Sequence, residues 1–200
     1  MPTTLKLFMK DKKIAQLYPL LQQGFQVTAT VGCDIRSLLC DQFGMLPEYL
    51  SDRISTIFLN GQPVDDMSSA IVNDNDVLAL SAAMPGLVGA TFRKAGSLAA
   101  FRGTITYQQS AAHPPVPQVG TITLKLFNLL VSEIGPMFLE RGVWVFGRDL
   151  QDLLKMYQPR IDKSIQHAEK DGMEMDVEML SGPNWIAADV PVLLQAVGVA

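Results

Sequence analysis

The sequence predicts an α+β fold in which a small sheet covers one amphipathic helix. Strand-forming residues Ile57–Leu59 run into Asn60-Gly61, a dipeptide suited to a tight turn between strands. An apolar stripe with helical spacing follows Asp34, and a sheet wrapped around this stripe is the simplest way to bury it. Hydrophobic residues make up 48% of the 200-residue chain, which is ample for packed cores.

Composition and charge argue against several classes of protein. The formal net charge of -4 gives no general attraction to nucleic acid or anionic lipid. No apolar run approaches the roughly 20 residues that span a bilayer, and charges interrupt Met1–Lys13 where a secretion signal needs an apolar core. Cys33 and Cys40 are too few for a disulfide scaffold. We therefore expect a cytoplasmic protein with no nucleic-acid or membrane partner.

The first third of the chain predicts two strands and then a helix. Thr4–Phe8 alternates apolar and polar residues as a half-buried strand does, and Phe25–Thr30 is rich in β-branched residues. Between them, Pro19 interrupts a helical spacing, which predicts a loop with at most a short helix. Asp34 is placed to cap the helix that follows, and Gly44 to end it. Its apolar stripe consists of Ile35, Leu38, Leu39 and Phe43.

The next stretch predicts a pair of strands and a tail. Leu46–Ser55 is a connection, after which Ile57–Leu59 forms a strand that ends in the Asn60-Gly61 turn. Asp74-Asn75-Asp76 turns the chain into a further strand, Val77–Leu80. An unpaired tail with Gly86 then completes the unit.

The order and spacing of five short motifs carry a family resemblance. They are Leu5-Lys6-Leu7-Phe8, Val31-Gly32-Cys33-Asp34, Phe58-Leu59-Asn60-Gly61-Gln62-Pro63-Val64, Asp74-Asn75-Asp76 and Leu78-Ala79-Leu80. Together they resemble the β-grasp sulfur carriers, namely the small subunit of molybdopterin synthase and the carrier of thiamine biosynthesis. The resemblance covers about the first 86 residues. It implies a ubiquitin-like mixed sheet around one helix.

The resemblance also implies a reactive tail, from which this sequence departs. Sulfur carriers end in Gly-Gly, and their terminal carboxylate is adenylated and converted to a thiocarboxylate. Here Gly86 stands at the penultimate position, but Leu87 follows it and the chain continues. A carrier would need cleavage after Gly86 or tolerance of the later Val199-Ala200. The tail-like segment predicted to contact a partner consists of Met84, Pro85, Gly86 and Leu87.

The residues after this tail have less regular patterning. Leu87–Gly103 is rich in small residues and carries three cations, for which a solvated surface and an anion-binding site are the two interpretations. Thr104–Tyr107 is a candidate added strand, and His113–Pro117 is typical of a stiff linker. The three cations are Arg93, Lys94 and Arg102.

An internal repeat predicts a second unit. Thr123–Phe127 repeats Thr4–Phe8 without a change, and Gly147–Leu154 aligns with Gly32–Leu39 without a gap. Val143–Phe146 is the strand that precedes the second helix. We therefore predict two tandem β-grasp units, the second degenerate, over residues 1–88 and 121–200, joined by a Gly/Ala/Pro-rich segment over 89–120.

The second copy is expected to diverge from the first after its helix. Asp149 is predicted to cap this helix, whose stripe is Leu150, Leu153, Leu154 and Tyr157. The spacing in Pro159–Asp171 predicts a further helix. Met173–Met179 alternates methionine or valine with acids, which predicts a strand with one buried face. Asp189–Ala200 resembles a worn last strand and tail.

Catalytic and metal-binding residues are not evident in the sequence. Cys33 and Cys40 lack nearby histidines and are expected to be small, buried or half-buried residues. His113 and His167 are interpreted as solvated side chains. We predict no catalytic residue, no metal site and no cofactor.

The preferred functional hypothesis is a non-catalytic protein-interaction module derived from a sulfur-carrier fold. Its partner would be a protein, related to the adenylating or cofactor-synthesis enzymes that carriers use. The alternative is a sulfur carrier or a component of molybdopterin-type or thiamine-type cofactor synthesis that requires processing. A third hypothesis is an enzyme with a site between the two units. The sequence is also compatible with a homodimer.

Overall fold

The computed structural model describes residues 3–84, 86–94, 96–103, 105–108, 116–158, 160–180, 182 and 185–199. Within these residues the chain combines short helices with mixed β-sheet, in which some neighbouring strands are parallel and others antiparallel. This confirms the predicted α+β class. The finer prediction, a β-grasp sheet around a single helix, remains a prediction.

The described residues contain twelve strands. They are β1 (Thr3–Lys10), β2 (Phe25–Val31), β3 (Cys33–Asp34), β4 (Thr56–Leu59), β5 (Gln62–Pro63), β6 (Ile71–Val72), β7 (Val77–Ser81), β8 (Gln118–Phe127), β9 (Val143–Phe146), β10 (Ile165–Lys170), β11 (Met173–Met175) and β12 (Pro191–Val199).

Seven α-helices also lie in the described part of the chain. They are α1 (Tyr18–Gln23), α2 (Ile35–Ser37), α3 (Pro47–Asp52), α4 (Gly86–Phe92), α5 (Leu129–Arg141), α6 (Gly147–Tyr157) and α7 (Val177–Leu180). Short 3-10 helices occupy Asp11–Leu17, Ala99–Arg102 and Asp162–Ser164, and a π-helical turn, Leu38–Gln42, continues α2.

The chain forms two compact units that are not consecutive in sequence. Among the described residues, unit 1 takes those within 3–26 and 131–199, and unit 2 takes those within 27–130. These boundaries differ from the predicted division into 1–88, 89–120 and 121–200. The difference arises because β1, from the first repeat, lies in the unit that contains most of the second repeat. Strand β8, from the second repeat, lies in the unit that contains most of the first.

The strands of unit 1 follow the order β11-β10-β1-β12-β9. The two strands in the middle, β1 and β12, are parallel, and each has an antiparallel neighbour on its other side. Leu5 lies opposite Leu194 in this parallel pair, and Leu7 lies opposite Ala196. All four side chains are buried, so this pair forms part of the core of unit 1.

Unit 2 is built on a sheet with the order β2-β8-β7-β4-β5. Here β7 and β8 form the parallel pair, with Leu78 opposite Leu124 and Leu80 opposite Leu126. Strand β4 is antiparallel to both β7 and β5. The short strands β3 and β6 form a separate antiparallel ladder within this unit.

The two copies of the sequence repeat exchange their first strands. Strand β1 contains the first Thr-Leu-Lys-Leu-Phe segment and pairs with β12, the last strand of the second copy. Strand β8 contains the identical second segment and pairs with β7, the last strand of the first copy. The registers are equivalent, because Leu5 and Leu124 hold the same place in the repeat and each lies opposite a leucine. The sequence repeat is therefore also a repeat of parallel strand pairing.

The helix predicted after Asp34 is confirmed. The Ser37 N–H donates to Asp34 Oδ1 at 2.9 Å, and the Ser37 hydroxyl donates to Asp34 Oδ2 at 2.8 Å. This cap satisfies one of the N–H groups that every helix leaves without an internal partner. The helix then widens, since the Phe43 N–H donates to Leu38 O five residues earlier. The predicted stripe is buried throughout, at Ile35, Leu38, Leu39 and Phe43.

The helix of the second copy is also present, but its predicted cap is wrong. Helix α6 follows Phe146 at the N-cap, with no side-chain cap, and Asp149 lies inside the first turn. The first residue of the helix is Gly147. A glycine is required there because a Cβ would lie 2.3 Å from the Ala187 carbonyl oxygen. Three of its predicted stripe residues are buried, and Tyr157 is half-buried; the buried ones are Leu150, Leu153 and Leu154.

Two predicted connections contain more helix than expected. Residues 11–23 form a 3-10 helix followed by α1, and Pro19 lies in the first turn of α1, where its missing N–H removes no hydrogen bond. The connection at 46–55 contains α3, which Pro47 opens in the same way. Proline therefore begins both helices and interrupts neither.

The predicted Asn60-Gly61 turn is confirmed. Both residues have positive φ, +51° and +79°, as a two-residue turn between twisted strands requires. The Val77 N–H donates to Asn60 Oδ1 at 2.8 Å, and Asn60 Nδ2 donates to Asp76 Oδ1 at 2.7 Å. The turn is thus tied to the start of β7 by the side chain of Asn60.

The helix predicted in Pro159–Asp171 is wrong. This stretch contains a short 3-10 helix and then β10, which pairs with β1 on one side and β11 on the other. Ile165 and Ala168 are buried three residues apart, a spacing that resembles a helical stripe. Strand pairing on both sides overrides this local pattern.

The strand predicted for Met173–Met179 is shorter than expected and has no buried methionine face. Strand β11 ends at Met175, and α7 follows. The Met173 side chain is 71% exposed, because β11 is the end strand in the order of unit 1 and has β10 on one side only. The last predicted strand is confirmed as β12, which continues to Val199.

The strand suggested for Thr104–Tyr107 does not form in the residues that can be described, which exclude Thr104 itself. The N–H groups of Ile105 and Thr106 both donate to the Arg102 carbonyl oxygen, which makes a turn. His113 and most of the predicted linker also lie outside the described residues.

The strand exchange predicts which cysteine pairs form disulfides. Neighbouring strands lie about 4.8 Å apart, within the Cα separation that a disulfide spans. Both variants are made in a background without Cys33 and Cys40. Lys6→Cys/Gln195→Cys replaces two half-buried residues that face each other in the β1–β12 pair. Ala79→Cys/Lys125→Cys does the same in the β7–β8 pair. Both are expected to oxidise to monomeric disulfides, seen by non-reducing electrophoresis and peptide mass mapping.

The matched control joins the two strands that would pair without exchange. The variant Lys6→Cys/Ala79→Cys places both cysteines in the first copy and is expected to stay reduced. Rapid monomeric cross-linking of this control, with no cross-linking of the other two pairs, would contradict the exchange.

Candidate functional site

The tail-like segment predicted as the partner site leads into a helix. Gly86 opens α4 with φ +72°, a conformation that favours glycine. Leu87 is 75% exposed, and Met84 is half-buried. Pro85 lies outside the described residues. The prediction of an unpaired tail after β7 is therefore wrong, although Leu87 is exposed.

Helix α4 packs against the segment that joins β7 to it. A Cβ at Gly89 would lie 1.7 Å from the Met84 carbonyl oxygen, so a glycine is required at this position for the observed contact. The Lys94 N–H, just past the helix, donates to the Ser55 carbonyl oxygen at 2.8 Å. These contacts fix α4 beside the start of β4.

A small cavity lies between α4 and the strand ends, which we call the Thr56 cavity. Its volume is about 170 Å³. Thr56 is one of its lining residues and is 1% exposed. The Thr56 hydroxyl is buried and has no hydrogen-bond partner among the described residues. The lining residues are Ser55, Thr56, Ala83, Met84, Gly86, Gly89, Ala90 and Arg93.

An apolar depression of about 310 Å³ lies beside the same strand end, and we call it the Met84 groove. Phe58 lines it and packs against Phe92 of α4, with ring centroids 5.3 Å apart. Asn128 Nδ2 donates to Ser81 Oγ at 2.8 Å and also to the Ala83 carbonyl oxygen. The lining residues are Phe58, Ala79, Leu80, Ser81, Met84, Phe127 and Asn128.

Arg102, one of the three predicted anion-binding cations, is a structural residue. Its side chain is 1% exposed and pairs with both carboxylate oxygens of Asp65, at 2.6 and 3.1 Å. It also donates to the Thr91 carbonyl oxygen at 2.7 Å, the Thr106 hydroxyl at 2.9 Å and the Arg93 carbonyl oxygen at 3.2 Å. These contacts hold the segment after α4 against the loop that contains Asp65.

Lys94 is similarly committed to a contact within unit 2. Its Nζ donates to the Leu50 carbonyl oxygen at the end of α3. Burial lowers the pKa of this ammonium from its ordinary value, and the negative charge of Asp52 opposes the shift in part. The ammonium is thus held at a helix end inside the protein.

Arg93, the third predicted cation, lines the Thr56 cavity. Its residue is exposed, and no contact of its guanidinium is found among the described residues. The structure therefore separates three cations that were equivalent in the sequence. Arg102 and Lys94 make contacts within unit 2, and Arg93 lines the Thr56 cavity.

The residues that complete these two sites carry little signal in the sequence. Thr56 is an ordinary strand residue, and Phe127 belongs to a strand segment that was recognised as part of the repeat. Phe58 was noted as a strand-forming residue and as part of the resemblance. What marks them is that β8 from the second copy lies next to β7 of the first, a pairing that local patterns do not encode.

The histidine of unit 1 lies between two acids. His167 Nε2 is 3.2 Å from Glu169 Oε1, and His167 Nδ1 is 3.4 Å from Glu174 Oε1. Its ring also packs on Phe8, with centroids 5.2 Å apart. His167 is therefore a half-buried strand residue, which corrects its interpretation as a solvated helix residue.

The two cysteines are free, half-buried thiols. Cys33 Sγ donates to the Thr30 carbonyl oxygen and accepts from Gln42 Nε2. Burial raises the pKa of the Cys33 thiol from its ordinary value, and the negative charge of Asp34 adds to this shift. Such a shift disfavours the thiolate that nucleophilic chemistry would use.

No group of three or more histidine, cysteine or acidic side chains in the described ranges is arranged to hold a metal ion. None of the helices described above has the length and apolar character needed to traverse a bilayer.

Comparison with known proteins gives no relative for this chain. No protein-family model, no curated protein sequence and no solved structure gave a significant match.

The Arg102–Asp65 pair predicts a stability difference between two arginines. Replacing Arg102 with Gln removes a buried guanidinium that pairs with the half-buried Asp65, and it leaves several acceptors without donors. The free energy of unfolding should therefore fall by about 2 kcal/mol or more. Replacing the exposed Arg36 with Gln makes the same charge change on α2 and should cost less than about 0.5 kcal/mol. Chemical denaturation of both variants measures the difference. Equal losses would show that the buried pair does not support this segment.

Proposed function

We propose that this chain is a non-catalytic protein-interaction module built on a duplicated β-grasp fold related to sulfur carriers. The observation that carries the proposal is the Met84 groove, an apolar depression at the end of β7, the place where the resemblance predicts a reactive tail. Exposed apolar side chains follow it along the chain at Leu87 and Val88. Contiguous exposed apolar patches are rare on monomeric proteins, and they mark protein-interaction sites.

The strand pairing supports the β-grasp part of the proposal. In unit 2 a parallel pair, β7 and β8, lies in the interior of the strand order, and β7 has an antiparallel neighbour, β4. A buried amphipathic helix follows β2, as the resemblance implies. Unit 1 repeats the parallel pair with β1 and β12. The departure from a simple tandem repeat is that each parallel pair combines strands of both copies.

The course of the chain after Gly86 favours a module over a carrier. A carrier would need a free carboxylate at this position, whereas Gly86 opens α4 and Gly89 packs on Met84. Cleavage after Gly86 would remove the helix that forms one wall of the Thr56 cavity. Intact mass spectrometry of protein from its own cell tests the carrier hypothesis. A fragment that ends at Gly86, or a terminal carboxylate with sulfur in place of oxygen, would favour the carrier hypothesis over the interaction module.

The Met84 groove fits an apolar side chain of a partner protein. Phe58, Met84 and Phe127 supply apolar lining. Asn128 is already engaged by Ser81. A partner that inserts an aliphatic or aromatic side chain would bury this surface without leaving a polar group unpaired. The same chemistry admits a second copy of this chain, which the experiment below separates from a different protein.

Site-specific photo-cross-linking tests the groove as the docking surface. A photoreactive phenylalanine analogue at Phe127, which lines the groove, should give a discrete cross-linked species in cells. The same analogue at Val119, an exposed residue of the same strand β8 that does not line the groove, should not. Mass spectrometry identifies the cross-linked protein, so a second copy of this chain and a different protein are told apart.

A surface variant gives the complementary measurement. Leu87→Asp places a charge on an exposed apolar position and should weaken binding of the identified partner by at least about tenfold, without a change in the free energy of unfolding beyond about 0.5 kcal/mol. Val119→Asp is the matched control and should leave affinity unchanged. Absence of any cross-link at position 127, or equal cross-linking at both positions, would contradict the proposed docking surface.

A further inference from the structure

The end strand of unit 1, β11, has an edge without a neighbour. It pairs with β10 in antiparallel register, with Met175 opposite Ala168 and Glu174 opposite Glu169. No described strand lies on its other side. An unpaired strand edge presents backbone N–H and C=O groups with which another extended segment can pair. This edge is therefore open to the addition of a strand.

The two faces of β11 differ in chemistry. Met175 lies opposite the buried Ala168, so the methionine face is the one that adjoins the core of unit 1. Met173 lies on the same face, yet it is 71% exposed. Because successive side chains of a strand point to opposite faces, Glu174 lies on the other face, and its side chain is 82% exposed. An added strand would therefore meet methionine on one face and an acid on the other.

The acidic face is not neutralised by lysine or arginine. Glu174, Asp176 and Glu178 are all exposed, and no described lysine or arginine forms an ion pair with any of them. Their described contacts are with His167, whose Nδ1 lies 3.4 Å from Glu174 Oε1, and with the Glu178 N–H, which donates to Asp176 Oδ1 at 3.0 Å. Glu174 and Asp176 also line an open depression of about 420 Å³. A long cationic side chain can enter this depression and pair with a carboxylate.

A second copy of this chain is a poor match for this edge. Two β11 strands that pair about a two-fold axis at Glu174 would place two carboxylates directly opposite each other, which destabilises a sheet. The end strand of unit 2, β5, has only two residues. One of them is Pro63, which lacks the N–H that pairing needs. The charge of β11 is instead complementary to a basic segment of a different protein.

We propose that β11 binds a basic, extended segment of another protein as an added strand. In this segment lysine or arginine alternates with an apolar residue. The cations face Glu174 and Asp176, and the apolar side chains cover Met173 and Met175. Methionine is suited to this role because its flexible side chain adapts to varied partners, and strand addition is a common mode of peptide recognition. This surface lies in unit 1 and is independent of the Met84 groove in unit 2.

Binding of synthetic peptides to the full chain tests the proposal. The probe is a short fluorescent peptide in which lysine and valine alternate, and binding is measured by fluorescence anisotropy. The probe should bind saturably and slow amide exchange in Met173–Met175, because an added strand supplies hydrogen-bond partners. A control peptide carries all of its lysines before all of its valines, so it has the same charge without the alternation. It should bind at least about tenfold more weakly.

Variants locate the binding on β11. Glu174→Gln keeps the size of the side chain and an acceptor for His167, and it should weaken binding of the alternating peptide about threefold. Glu174→Lys reverses the charge and should weaken it at least about tenfold. Glu140→Gln and Glu140→Lys make the same changes at an exposed position of α5 and should leave the affinity unchanged. Since Glu174 is exposed, neither of its variants should lower the unfolding temperature.

Three results would overturn the proposal. The first is no binding of the alternating peptide, or equal binding of the alternating peptide and the block-ordered control. The second is equal weakening by the Glu174 and Glu140 variants, which would show attraction to the overall charge only. The third is a wild-type dimer, seen by sedimentation, that the alternating peptide dissociates, because the edge would then belong to a second copy. None of these results bears on cross-linking at position 127, and a failed cross-link there leaves the peptide titration unaffected.

Discussion

The parallel pairing of β1 with β12 and of β7 with β8 is the interaction on which the rest of the structure depends. Each pair places two rows of buried side chains in the interior of one unit. Because both copies carry the same Thr-Leu-Lys-Leu-Phe segment, exchanging them between the copies changes neither the rows nor the register. Within one chain such an exchange carries no cost of bringing two molecules together. A duplicated strand is therefore free to pair with either last strand, and the structure has the exchanged pairing.

Local elements were predictable from the sequence where a local physical rule decides them. The cap of Asp34 and the Asn60-Gly61 turn depend on residues near in sequence, and both are present. Strand partners were not predictable, because alternation tells which face of β1 is buried but not which strand lies beside it. The helix wrongly predicted in Pro159–Asp171 has the same origin, since its spacing is local and its structure is decided by pairing with β1.

The candidate site was predictable only as a region. Arg93, Lys94 and Arg102 are alike in the sequence, and their roles are decided by partners far along the chain. Arg102 finds Asp65 37 positions away, and Lys94 finds Leu50 44 positions away. Arg93 lines the cavity, whereas Lys94 and Arg102 are bound to partners within the fold. The Thr56 hydroxyl could not have been singled out, since nothing in a strand sequence indicates which threonine lacks a partner. The groove and the cavity both have Met84, which follows β7, in their lining.

Hydrogen–deuterium exchange of two leucine variants tests the strand exchange most directly. Leu7→Ala and Leu126→Ala remove equivalent buried side chains from β1 and β8, each at a cost of about 2 kcal/mol or more. The account predicts that Leu7→Ala speeds amide exchange in Pro191–Val199 more than in Val77–Ser81, and that Leu126→Ala does the reverse. Faster exchange of Val77–Ser81 in Leu7→Ala, with Pro191–Val199 unchanged, would contradict it.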